Sequence, residues 1–324
     1  MGLEYGLRVV GLDLVLGVDG GGSETRCVAL ALDGRGVGRG VGGPSNPLTV
    51  GLEASRGSIL EAASQALVEG GDVRASVLGL AGAYRSHSGT RLRASLPGWM
   101  GRVEVVSDAR AAWAGATTLN PGVVVIAGTG SIAYGVDGRG VEAYSGGWGW
   151  LLGDEGSGFW VGREAVARAL KALGGQGEET ALVGALEAYL GVGGSEGLLD
   201  WAYSGRGPRE FASLVPLVRR VARRGDSVAQ NILAEAGGWL ASLAVDVVRR
   251  LGLEGGCAIY PCGGVLEEGG LPAESFSQQL KTRLPRCSVL PPRFEPAVGS
   301  ALLALELAGV EVGGEVLARV GEGA

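Results

Sequence analysis

The sequence predicts a two-domain α/β protein, and three observations carry that expectation. Apolar strand-like runs alternate with amphipathic helical stretches, as in a sheet flanked by helices. The 324 residues exceed the size at which a single hydrophobic core usually stops growing. A unit of strand, glycine loop, strand, hairpin and strand occurs twice, about a third of the chain apart.

In the first copy, Leu14–Val18 breaks into Asp19-Gly20-Gly21-Gly22-Ser23-Glu24-Thr25, resumes as Cys27–Leu32 and turns at Asp33-Gly34-Arg35-Gly36. In the second, Val123–Ile126 breaks into Ala127-Gly128-Thr129-Gly130-Ser131, resumes as Ile132–Val136 and turns at Asp137-Gly138-Arg139-Gly140. Asp-Gly pairs favour tight hairpins. Glycines let backbone N–H groups come close to an anion, and Ser and Thr add hydroxyl donors. Two such loops facing each other suit a polyphosphate held between domains; two ordinary hairpins with flexible tips are the plainer alternative.

The other elements follow in order. Gly42-Gly43-Pro44-Ser45-Asn46-Pro47 reads as a loop and residues 51–69 as an amphipathic helix. Val77–Ala81 and Val103–Val106 read as buried parallel strands. Ser107-Asp108 opens an Ala-rich helix to about Leu119, and Asn120-Pro121-Gly122 marks the boundary between domains 1–119 and 120–324. Beyond the Gly- and Trp-rich loop 145–153, helices are expected over 155–173, 179–190, 208–223 and 227–251. Cys257–Tyr260 is a strand, Gly263-Gly264 a tight turn, 272–284 a helix, Ser288–Leu290 a short strand and Pro296–Leu307 a helix. Alternation of this kind implies largely parallel sheets.

Composition narrows the function. A hydrophobic content of 46% with 19% charged residues fits a globular enzyme with substantial cores. The 62 glycines are scattered rather than gathered in one low-complexity block, which argues against disorder. A net charge of −6 without a basic cluster argues against nucleic acid as the partner. Glu4 and Asp13 interrupt the start of the chain, which carries no cationic leader, and Gly6 stands where a myristoylation signal after Gly2 needs Ser or Thr. No uncharged stretch approaches a membrane span. A cytoplasmic protein without membrane partners is expected.

Cys27, Cys257, Cys262 and Cys287 lack paired CxxC spacing, so reduced, buried thiols are expected rather than a zinc or iron–sulfur site. His87 is the one histidine, which leaves acid–base work to carboxylates. Lys171 and Lys281 are the only lysines and neither follows a glycine loop, so a Walker-type lysine is missing. Gly38, Gly40 and Gly43 formally satisfy GxGxxG, but a Pro-containing loop follows instead of a helix, against dinucleotide binding.

Four places can carry chemistry. Asp19 ends the first strand at the mouth of its loop, where a carboxylate can hold magnesium through water or simply cap the turn. Asp108 follows a strand and begins a helix; it can accept a proton from a hydroxyl or serve as the N-cap. In Ser145-Gly146-Gly147-Trp148-Gly149-Trp150-Leu151-Leu152-Gly153-Asp154-Glu155-Gly156-Ser157, indoles beside carboxylates suit a sugar; the alternative is a Trp-packed loop with Asp154 capping the next helix. Tyr260-Pro261-Cys262-Gly263-Gly264-Val265 ends in a turn whose missing side chains could admit an adenine ring.

With these segments in order, the chain resembles the actin/hexokinase/Hsp70-like ATPase superfamily, and within it the N-acetylglucosamine kinase and BadF/BadG/BcrA/BcrD group. The resemblance covers nearly the whole chain and rests on Gly17–Thr25, Ser107-Asp108-Ala109, Ala127–Ser131, Cys262–Val265, a helix near Pro296, and above all Gly146–Ser157. It implies two actin-like (ribonuclease H-like) ATPase domains, each a mixed sheet flanked by helices, with an interdomain cleft and a last helix that can return to the first domain. It implies ATP and Mg2+ as cofactors. Asp108 matches the general base and Asp19 the magnesium-side carboxylate. Gly21, Gly22, Ser23, Thr25, Gly128, Thr129, Gly130, Ser131, Gly263 and Gly264 match the nucleotide side. Asn46, Asp108, Thr129, Gly147, Trp148 and Asp154 match positions near a sugar. Gly79–Ala83 is apolar where some relatives place serines, which bears on recognition of the sugar's 2-substituent.

The activity so implied is transfer of the ATP γ-phosphoryl group to the 6-hydroxyl of N-acetylglucosamine, glucosamine or a related hexose, with a homodimer also compatible. One alternative is an ATPase that activates a partner enzyme through a bridging iron–sulfur cluster, which needs cysteines presented at an interface. Another is a nucleotide-gated binding module without turnover.

Overall fold

The structure, a computed structural model, describes residues 12–67, 71–83 and 87–323. Gly2, Glu4 and Gly6, read above against a leader and a myristoylation signal, lie outside the described residues. The first elements in chain order are β1 (Asp13–Gly20), β2 (Thr25–Ala31), β3 (Gly36–Gly42), α1 (Pro47–Val50), α2 (Leu52–Ala66), β4 (Asp72–Leu80), α3 (Ser88–Ser95), β5 (Arg102–Ser107) and α4 (Asp108–Thr117). Then come β6 (Gly122–Ala127), β7 (Ser131–Val136), β8 (Glu142–Gly146), α5 (Gly158–Leu173), α6 (Leu182–Leu190), α7 (Gly194–Tyr203), α8 (Pro208–Ala212) and α9 (Val215–Arg223). The last are α10 (Ser227–Arg250), β9 (Ala258–Cys262), α11 (Leu271–Arg283), β10 (Ser288–Val289), α12 (Pro296–Leu307) and α13 (Gly314–Gly323).

The chain divides into two compact units: one takes residues through Asn120 together with those from Pro292 onward, and the other is Pro121–Pro291. Unit one holds the sheet β3-β2-β1-β4-β5 and unit two the sheet β10-β9-β6-β7-β8. Both sheets are mixed, not largely parallel. The repeated hairpins make β1–β2–β3 and β6–β7–β8 antiparallel, while β1–β4–β5 and β6–β9–β10 are parallel. The α/β fold with mixed, helix-flanked sheets is the one the resemblance implies.

In unit one, small residues let helices lie on strands at very short range. A Cβ on Gly17 of β1 would sit 2.1 Å from the backbone nitrogen of Ala301 in α12, and Ser300 Oγ donates to Val18 O at 2.8 Å. The GxGxG face of β3 has the same purpose: Cβ atoms on Gly38, Gly40 and Gly42 would run into carbonyls of α2. That answers the formal GxGxxG match with packing. The core there gathers Leu16, Val18, Ile59, Leu78, Leu80 and Leu92.

Unit two has two cores joined by α10. Ile232, Leu233 and Ala236 serve the helical core with α5, α6 and α9, while Leu240, Ala244 and Val248 serve the core over the sheet. By length and composition α10 could cross a membrane. Its apolar residues are instead the shared spine of these cores.

Several boundaries differ from the sequence expectation for local reasons. The stretch 208–223 is two helices, because Pro216 lacks the N–H needed inside a helix and instead sits in the first turn of α9. The helix expected from 155 begins at Gly158, capped by Ser157 Oγ, which accepts from Trp160 N at 3.2 Å. The Ala-rich helix is likewise capped by Ser107, which accepts from Arg110 N at 3.1 Å and leaves Asp108 as the first helical residue. The cap roles weighed for Asp108 and Asp154 therefore fall to serines. Helices α3, α7 and α13 were not legible in the sequence.

Candidate active site

In unit one, the first loop joins β1 to β2 where Gly20 pairs with Thr25. The chain after β3 folds back onto it: Ser45 N and Asn46 N both donate to Gly21 O, at 2.9 and 3.0 Å. Thr25 is fully buried; its Oγ1 donates to Gly43 O at 2.6 Å and lies in hydrogen-bond contact with Ser45 Oγ at 2.7 Å. Its hydroxyl thus fastens the loop, whereas Ser23 is exposed at the tip beside half-buried Gly21 and Gly22. A Cβ at Gly21 would meet nothing within 4 Å, so packing does not demand glycine there. The Gly21 N–H itself donates to Glu24 O at 3.1 Å, so what this position offers an anion is open space rather than a free donor.

Asn46 is brought to the same place. Its Oδ1 accepts from Leu48 N at 3.0 Å and caps α1, leaving its Nδ2 to donate elsewhere. Gly82, just after β4, has no side chain because a Cβ would lie 2.7 Å from Asn46 Oδ1.

Asp19 and Asp108 stand at the carboxyl ends of β1 and β5, the edge where open α/β sheets bind ligands. Both are half-buried. Burial, with the nearby Asp108 charge adding to it, pushes the Asp19 carboxyl from 3.8 up to about 7. Burial also raises Asp108, partly offset by the Ala109 N–H that its Oδ1 accepts at 2.9 Å. Two like carboxylates held together in this way suit a hard cation. No cluster of three or more His, Cys, Asp or Glu exists among the described residues. Two carboxylates of this kind could hold a magnesium ion only with oxygens from water or phosphate completing its shell.

In unit two, the second loop spans the β6–β7 turn, and the segment 146–158 wraps around it. Gly147 N donates to Ser131 O at 2.9 Å, and Ser131 Oγ donates to Glu155 O at 2.8 Å. The first N–H groups of α5 are not left open: Gly158 N and Phe159 N donate to Gly128 O and Thr129 O, at 2.8 and 3.1 Å. Ser131 is buried and committed to this wrap, while Thr129 is exposed at the tip. A Cβ at Gly128 meets nothing within 4 Å.

Asp154 is buried in the wrap, and its Oδ1 accepts from Ser131 N at 3.4 Å. A Cβ on Gly130 would lie 2.8 Å from Asp154 Oδ2, so that glycine is what lets the carboxylate reach the loop. Asp154 itself has φ 61°, a left-handed conformation that a non-glycine residue holds only when its surroundings enforce it. Trp148 is 64% exposed, and its Cβ lies 3.4 Å from where a Cβ on Gly153, the residue before Asp154, would sit. Trp150, by contrast, is anchored edge-on to Phe159, which meets Phe211, which meets Trp201.

The turn after β9 is asymmetric. Gly263, at φ 90°, is pressed on the end of β6, where a Cβ would be 2.5 Å from Ala127 O; Gly264 faces open space. Arg219 of α9 braces this turn. Its Nη2 donates to Gly264 O and Val265 O and its Nη1 pairs with Glu267 at 2.7 Å. Sequence reasoning missed Arg219: an arginine on an amphipathic helix carries no local signal of a contact about 45 residues away. Within unit one the structure thus brings together Asp19, Gly21, Asn46 and Asp108. Within unit two it gathers Thr129, Gly130, Gly147 and Asp154, with Gly263 at the end of the same β6.

The model of the BadF/BadG/BcrA/BcrD ATPase family matches residues 16–304, nearly all of what these motifs span. The chain belongs to that family. An N-acetylmuramic acid/N-acetylglucosamine kinase from Clostridium acetobutylicum is 33% identical over 298 residues, covering 90% of this chain and 97% of the relative. An N-acetyl-D-glucosamine kinase from Dictyostelium discoideum is 30% identical, covering 90% and 98%. Among solved structures, a candidate N-acetylglucosamine kinase from Chromobacterium violaceum aligns with TM-score 0.75 and 30% identity over 91% of this chain and 99% of its own. A glucokinase of the ROK family from Streptomyces griseus, solved with glucose and AMPPNP, aligns at TM-score 0.60 and 22% identity, a likeness of fold.

Proposed function

We propose that this protein is an ATP-dependent sugar kinase that transfers the γ-phosphoryl group to the 6-hydroxyl of N-acetylglucosamine, glucosamine or a related hexose. The observation that carries the chemistry is Asp108, a half-buried carboxyl of raised pKa at the end of β5 beside a second carboxylate. The relatives at 30–33% identity, named as amino-sugar kinases, supply the substrate class.

Each residue has a stated task. The open space at Gly21 and Gly128 lets phosphate oxygens come close to the loops, and the exposed hydroxyls of Ser23 and Thr129 donate to them in place of a lysine. Asp19 would hold magnesium, and the ion, when bound, would offset charge on the phosphates. Asp108 orients the acceptor hydroxyl and takes its proton; a raised pKa makes it a stronger base near neutrality. Asn46 Nδ2 and the Asp154 carboxylate are hydrogen-bonding partners for sugar hydroxyls, and Trp148 offers an apolar face to ring C–H groups. The open side of Gly264 accommodates adenosine. A cytoplasmic location, where ATP is plentiful, belongs to the same reading.

The test is ADP release over a panel of hexoses and amino sugars, with and without magnesium, for the wild type and Asp108→Asn. Sugar-dependent, magnesium-dependent turnover is expected, with a loss of about 10²–10⁴-fold in Asp108→Asn at unchanged nucleotide binding. Wild-type turnover without sugar dependence, or a variant that keeps most of its activity, refutes the assignment.

A further inference from the structure

Cys257 and Cys287 lie outside the site described above, and the sheet itself sets them face to face. Strand β10 pairs with β9 in parallel, Ser288 opposite Ala258 and Val289 opposite Ile259. One step back along both strands places Cys287 beside Cys257, and Ser288 N donates to Cys257 O at 2.9 Å. Neighbouring strands run about 4.8 Å apart, inside the ~4.4–6.8 Å Cα separation that a disulfide spans. The two Sγ atoms are 3.5 Å apart, and both residues are half-buried free thiols. The remaining cysteines are placed differently: Cys27 is buried in the core of unit one, and Cys262 turns its Sγ toward Tyr260 O.

We propose that Cys257 and Cys287 are an oxidisable pair, converted by a peroxide into an intramolecular disulfide that staples edge strand β10 to β9. The first thiol attacks the peroxide, taking one oxygen as a sulfenic acid while the other leaves as water. The second thiol then attacks that sulfur, forming the S–S bond and releasing the oxygen as a second water. Two thiols lose two electrons and two protons in all, and one peroxide is reduced. Burial pushes the Cys257 thiol up to about 12, which makes the reaction slow rather than forbidden. The site is well suited to a staple. Strand β10 is only two residues long, and the link would close a loop that contains all of α11. Shortening the unfolded chain's freedom over such a loop stabilises unit two. The bridge lies at the start of β9, whereas the Gly263 turn follows that strand's far end, so it leaves the turn in place.

The experiment uses the full-length protein treated with hydrogen peroxide at neutral pH. The expected product is about 2 Da lighter, with a cross-linked peptide joining residues 257 and 287 that dithiothreitol separates. Its melting temperature rises by about 5 °C and returns on reduction. Cys257→Ser and Cys287→Ser each abolish both effects, and Cys262→Ser retains them. Sulfinic or sulfonic products at these residues, a disulfide through Cys262 or between molecules, or a melting temperature unmoved by the bridge overturns the proposal. None of these readouts involves sugar or ATP, so the result stands apart from the kinase reading.

Discussion

Replacing Asp19 by Asn separates what the carboxyl does for chemistry from what it costs the fold. In the folded protein its pKa is about 7, against 3.8 unperturbed. The native state therefore holds its proton more tightly than the unfolded chain does. Stability falls as pH rises from about 4 to about 7, and the full cost is present above that window. A shift of about 3 units corresponds to about 4 kcal/mol, with the attraction to Arg26 already counted in it. Asp19→Asn should thus match the wild type near pH 4 and exceed it by about 2–4 kcal/mol at pH 8, while losing catalysis. Urea unfolding of both proteins in the presence of a chelator, at pH 4, 6 and 8, reads this directly. A difference that stays constant across that range, or a variant weaker than the wild type at pH 8, refutes the electrostatic account of the first loop.

Three further outcomes are expected. Gly263→Ala should destabilise by about 3 kcal/mol or more, since its Cβ meets the Ala127 backbone at positive φ, whereas Gly264→Ala should leave stability within about 0.5 kcal/mol yet raise KM for ATP several-fold; thermal melts and steady-state kinetics distinguish them. Arg219→Ala strips the charged donor from the Gly264 and Val265 carbonyls, a loss of about 1.5–3 kcal/mol that should fall on KM for ATP more than on kcat, with Arg219→Lys restoring part. Trp148→Ala, at an exposed position, should leave the melting temperature unchanged and raise KM for sugar several-fold, seen as a change specific to that substrate.

The repeated hairpins were legible because Asp-Gly turns and alternating apolar runs are local signals. The same is true of α12, whose bounds Pro296 and Leu307 coincide with the expected ones. Asp19 and Asp108 were legible as candidates, but their mutual repulsion depends on β4 lying between β1 and β5, which no local pattern states. The sequence could not tell the exposed hydroxyls of Ser23 and Thr129 from the buried ones of Thr25 and Ser131. All four sit in similar Gly-rich surroundings, and only the fold-back of Ser45 and the wrap through Glu155 separates them. The tight contacts of Gly17 and Gly38 were equally hidden, because a glycine spared for packing and one spared for a ligand look alike in one dimension.

The division of the chain has a consequence for its synthesis. Unit two is a continuous stretch, free to fold as soon as it clears the ribosome. Unit one lacks α12 until Pro296–Leu307 has been made, although Gly17 and Val18 of its central strand take that helix as their cover. The strands made first therefore wait without that cover until α12 emerges, and a chaperone that shields such faces would find its window there.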